Sequence, residues 1–202
     1  MLESTAAAAD YADALLAARK AKNILASLIL VMLLFQLGLF FWARYKFAVD
    51  APSHTADFLK YGVGLSDFLG VAATIVLAIV LLFIVLVMLN GRLLGVSRLV
   101  SAFLWCIVLA VLLFPWQAFL MNQTFTSTEF KIPGVLYTWA ELAARGRLHP
   151  PLFCPALLYW ARFVGCPAVA TVILLVIQHQ SRRGLRMALG NADPPPVVTE
   201  NP

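Results

Sequence analysis

FLGVAATIVLAIVLLFIVLVML, running from Phe68 to Leu89, carries no charged residue and one hydroxyl, that of Thr74. About 20 residues at roughly 1.5 Å rise cross the roughly 30 Å hydrocarbon core of a bilayer as a helix. Lipid offers a backbone no hydrogen bonds, so such a run must satisfy its own, and a helix does. Three further runs are as long and predominantly apolar: Ile24 to Ala43, Leu99 to Met121 and Leu152 to Ile177. The fold class that follows is an all-α integral membrane protein with four antiparallel transmembrane helices. Spans are expected near 24–43, 68–89, 99–121 and 156–178.

Composition agrees. The chain of 202 residues is 62% hydrophobic and 12% charged, about half the charged fraction of a soluble domain. After four spans too little chain remains for a large soluble domain, so residues 1–190 read as one membrane unit. The net charge of +5 does not point to nucleic acid, because the basic residues sit at span ends, where anionic headgroups lie. Nor does a basic patch interleaved with exposed aromatics occur.

Four spans place both termini on one side. That side holds Arg19, Lys20, Lys22, Arg92, Arg98, Arg182, Arg183 and Arg186, against Arg44, Lys46, Lys60, Lys131, Arg145 and Arg147 on the other. The positive-inside rule puts both termini in the cytoplasm, and the location expected is a bacterial cytoplasmic (inner) membrane. Residues 1–22 include Glu3, Asp10 and Asp13 and are too polar for a signal peptide. They read instead as an amphipathic helix over 5–22, lying in the interface or running on into the first span.

Between the spans, Asn90 to Arg98 makes a tight helical hairpin, with its glycines fitting the end of the second helix and the bend after it. Residues 55–61 read as a short helix before Gly62 and Gly64. Pro133-Gly134 and Gly146 bracket a surface helix over 134–145, anchored by Trp139 and carrying the i,i+4 pair Glu141 and Arg145. Pro115 is expected to kink the third span, and Pro155 and Pro167 the fourth. Residues 191–202 read as a disordered Pro-rich tail. Trp116, Trp139, Tyr159 and Trp160 are interface anchors.

Association of helices in lipid relies on close packing, and small residues at helical spacing permit it. Gly62, Ser66, Gly70, Thr74 and Ala78 form one such stripe; Ala161, Gly165 and Ala168 form another, and Ala102, Cys106 and Ala110 a third. Arg162 is the only charged residue inside any run, and a charge within lipid flags a site by default. Asp67 is its natural partner, and Gln36 and Gln117 are the other polar candidates near the bilayer interior. Cys106, Cys154 and Cys166 make no CxxC pair. If helical, Cys154 and Cys166 stand about 18 Å apart, beyond disulfide reach.

The histidines, His54, His149 and His179, lie at or beyond span ends, so no facing pair is expected to hold a haem. HExxH and GxSxG motifs do not occur, and no cofactor is expected beyond bound lipid. The first functional reading is therefore a non-catalytic small subunit or scaffold, packed into a larger membrane assembly or a homo-oligomer. The alternative is a transporter or channel for a small, anionic solute using Arg162, Gln36 and Gln117. The third is a membrane enzyme on a lipidic substrate, using His149, Glu141 and Arg162.

Overall fold

A computed structural model describes residues 2–46, 54–114, 157 and 160–190, with side chains placed over 11–42, 60–114, 157 and 160–190. These residues form α1 (Leu2–Lys46), α2 (His54–Asn90), α3 (Val96–Leu113), a π-helical turn (Ala161–Gly165) and α4 (Cys166–Ala188). Four helical segments, Tyr11–Trp42, Lys60–Asn90, Val96–Leu113 and Ala161–Ala188, are long and apolar enough to cross a membrane. No strand occurs among the described residues. The surface helix expected over 134–145, the anchors Trp116, Trp139 and Tyr159, and Gln117, Glu141, His149 and the tail 191–202 lie outside them.

Helices α1 and α2 are longer than the apolar runs that announce them. The segment 5–22 is continuous with the first span, so α1 is one helix of 45 residues, about 67 Å at the usual rise. Gly62 and Gly64 fall inside α2 and do not break it. A glycine costs a helix interior only about 1 kcal/mol, and at Gly62 a Cβ would stand 3.6 Å from the Phe35 ring, an ordinary contact. α3 ends at Leu113, and the kink expected at Pro115 lies outside the described residues. Phe114 is extended (φ −63°, ψ 135°), as the clash of a proline ring with the preceding residue requires.

Around the core each helix packs on the next, α1 on α2, α2 on α3 and α3 on α4, and α4 returns to α1. Tyr11 meets Asn90 at one end of the α1–α2 seam, and Gln36 meets Asp67 at the other. Along α1–α4, Lys22 meets Ser181 and Phe40 meets Phe163. The buried stripe of α1, Leu15, Ala18, Lys22, Ala26, Ile29, Leu33, Gln36 and Phe40, advances by steps of three or four, the seam of a packed helix pair.

The hairpin between α2 and α3 places its strain differently from the sequence expectation. Leu93 N–H donates to Met88 C=O at 2.9 Å and Arg92 N–H to Leu89 C=O at 3.2 Å, a Schellman closure of α2. Its left-handed position falls on Arg92, at φ 50°, not on Gly91. A non-glycine residue there costs roughly 1 kcal/mol or more. Arg92→Gly is accordingly expected to stabilise the protein by about 1 kcal/mol, read as a raised thermal midpoint in detergent. A lowered midpoint would show that the Arg92 side chain has a structural task.

Candidate functional site

Two buried polar clusters interrupt the apolar core, and α1 contributes to both. The first joins α1, α2 and the π turn. Gln36 is fully buried. Its amide donates to the Asp67 carboxylate and, at 3.4 Å, to Ser66 Oγ. Ser66 in turn donates to Val63 C=O at 3.0 Å. Arg162 lies within electrostatic range of the Asp67 carboxylate. Of the four polar candidates, Gln36, Asp67 and Arg162 therefore come together; Gln117 is outside the described residues.

The π turn that carries Arg162 has a local cause. Pro167 has no N–H to give to the carbonyl four residues back, and its ring crowds that carbonyl. The helix widens just before it, with Cys166 N–H donating to Ala161 C=O, five residues back, and Pro167 opening α4. Such bulges are recurrent at working sites. Beside it Phe40 stacks on Phe163, centroids 4.8 Å apart and planes 8° off parallel, and meets Trp160 edge-on at 6.1 Å. Phe40 and Phe163 are buried while Trp160 is exposed, an arrangement that suits an anchor at the headgroup level.

The second cluster was not foreseen. Lys22, read as a headgroup-facing cation at a span end, is 0% exposed. Its ammonium donates to Gln178 Oε1 at 2.7 Å and to Ser181 Oγ at 2.9 Å. The charges that reach it are cationic, Arg182 and Arg19. No Asp or Glu occurs on α1 beyond Asp13, on α3, or on the π turn and α4. The one signal was the three-four spacing, which places Lys22 on the same stripe as Ala18, Ala26 and Gln36.

The small-residue stripes divide in the same way. On α2, Ser66, Gly70 and Thr74 are buried and Gly62 and Ala78 half-buried. Thr74 bonds back to Gly70 C=O at 2.7 Å, and Cys106 Sγ of α3 reaches Thr74 C=O at 3.9 Å. On the fourth span, Ala161 and Ala168 are exposed and Gly165 is half-buried, so that stripe faces away from the core. Its interior contact is instead at Gly184, where a Cβ would stand 3.0 Å from Leu99 Cγ and 3.1 Å from Gly95 C=O.

Among the described residues, two of the grooves on the outside bear on function. One, of about 630 Å³, runs between α2 and α3 and is apolar throughout, with Ala78, Ile79, Phe103, Ile107 and Ala110 in its walls. The other, of about 570 Å³, lies between α1 and α4 beside Lys22. Compared with known proteins, the chain matches no family model, no curated protein and no solved structure.

Proposed function

We propose that this chain is a non-catalytic membrane subunit or scaffold, packing into a larger membrane assembly or a homo-oligomer. The observation that carries the reading is the apolar groove between α2 and α3. Two members of the small-residue stripes, Ala78 and Ala110, line it, and small residues are what allow a further helix to approach closely in lipid. Exposed Ala161 and Ala168 give the fourth span a second face of this kind. The polar groups of the Gln36–Ser66–Asp67 cluster hydrogen-bond one another, which suits a part that registers helices better than a solute site.

In this reading the four helices cross antiparallel, both termini lie on the cytoplasmic side of a bacterial inner membrane, and 134–145 rests on the outer surface. The test is native mass spectrometry of the protein extracted from its source membrane in mild detergent. A defined oligomer or a stoichiometric partner is expected; recovery as a monomer alone would overturn the proposal. Ala110→Phe, which fills the groove from its wall, is expected to weaken association by about tenfold or more, equivalent to about 1.4 kcal/mol. Because Ala110 is half-buried and lines the open groove, the thermal midpoint of the isolated chain should stay within about 1 kcal/mol of wild type.

A further inference from the structure

The groove between α1 and α4 has two ends of different chemistry. At one, Asn23 and Ser27 of α1 face Gln178, His179 and Arg182 of α4; at the other, Leu30 faces Leu174 and Leu175. Both walls thus change from polar to apolar, between Ser27 and Leu30 on α1 and between Gln178 and Leu175 on α4, within about a turn of the ends of the two apolar runs. A soluble anion would use the polar end alone. A molecule with a polar head and a hydrocarbon tail would use the whole length.

Charge selects the head. Arg182 lines the groove and is exposed. Behind the wall stands the buried Lys22 ammonium, with Arg19 and Arg182 both in range of it and no carboxylate on either helix from residue 14 to 46 or from 161 to 188. A cationic site without internal counter-charges favours an anion, and guanidinium matches phosphate oxygens in pairs. The Asn23 amide oxygen is buried here with no hydrogen-bond partner among the described residues. A donor on the head, such as a hydroxyl, would satisfy it.

We propose that this groove is a binding site for one anionic phospholipid with a hydroxyl-bearing headgroup. Its phosphate sits on Arg182 and His179, in the field of Lys22. Its headgroup hydroxyl reaches Asn23, and an acyl chain lies along Leu30, Leu174 and Leu175. The site does not depend on whether the chain has protein partners.

The test is native mass spectrometry of the full chain, delipidated in detergent and titrated with phosphatidylglycerol or phosphatidylcholine. One phosphatidylglycerol is expected to bind, about tenfold or more tighter than phosphatidylcholine. Arg182→Gln is expected to weaken it by about tenfold, the scale of a lost charge-assisted bond. Ser27→Trp, which blocks the groove without touching charge, should do the same. Arg182 and Ser27 are exposed, so both variants should keep the wild-type helical signal in circular dichroism. Arg183→Gln, one residue away on the exposed surface and outside the groove lining, should leave binding within about twofold.

Equal loss in the Arg182 and Arg183 variants would reduce the effect to general surface charge and overturn the site. Equal binding of the two lipids would overturn the anionic head. Displacement of the lipid by millimolar inorganic phosphate would show a site for free phosphate, and would overturn the lipid assignment.

Discussion

Gly95→Val is expected to lower stability more than any other single change in the described core. Gly95 sits at φ 93°, and a Cβ on it would fall 2.7 Å from the Gly184 carbonyl oxygen and 3.2 Å from Gly184 Cα. Both obstacles are backbone, so no side chain can turn aside. The left-handed conformation costs a β-branched residue about 1–2 kcal/mol. Forced overpacking adds a further 1–3 kcal/mol, roughly. A membrane bundle has little stability to spare against losses of this size. Expected is a collapse of folded yield, or a midpoint in SDS titration shifted by about 2–5 kcal/mol. Gly190→Val is the control, because Gly190 also has a positive φ, 69°, but meets nothing within 4 Å. It should lose only the conformational share, about 1–2 kcal/mol. If the two variants lose the same amount, the close approach of α3 and α4 at Gly95–Gly184 contributes nothing.

Asp67→Leu is expected to be the next most damaging, at about 2–4 kcal/mol. It deletes the acceptor of the Gln36 amide and the opposite charge within range of Arg162, and breaking one partner of a low-dielectric cluster leaves the others desolvated. Asp67→Asn keeps an acceptor for Gln36 and removes only the charge, so it should cost less, about 1–2 kcal/mol. The two variants separate hydrogen bond from charge. A cycle with Arg162→Gln then measures the ionic part, expected at about 1 kcal/mol or more of coupling. Additive losses in that cycle would mean that Arg162 and Asp67 do not sense each other.

The spans were legible because apolar runs of bilayer length have one structural solution. The association of Gln36, Asp67 and Arg162 was partly legible: Asp67 and Arg162 belong to span ends at matching depth, and Gln36 is the one amide in its run. Lys22 was misread because position near a run end outweighed the helical register that buries it. Gly184 was hidden for a related reason. It stands between Arg183 and Arg186, in a stretch whose charge suggests a solvated tail, while the contact it makes depends on the turn at Gly95. Which way the fourth-span stripe faces was hidden because helical spacing was carried straight through Ala161–Gly165. A π turn takes in an extra residue, so alanines that share a face on an ideal α-helix no longer mark the buried side.

The Lys22 contacts also set a schedule for biogenesis. Its two acceptors follow it by 156 and 159 residues, which at about 5–20 residues per second is roughly 8–30 s of synthesis. During that interval the nascent first helix holds an ammonium whose final partners do not yet exist. Water and headgroups at the membrane edge must solvate it meanwhile. The Lys22 hydrogen bonds therefore close only when the last helix arrives, joining the start of the chain to its end.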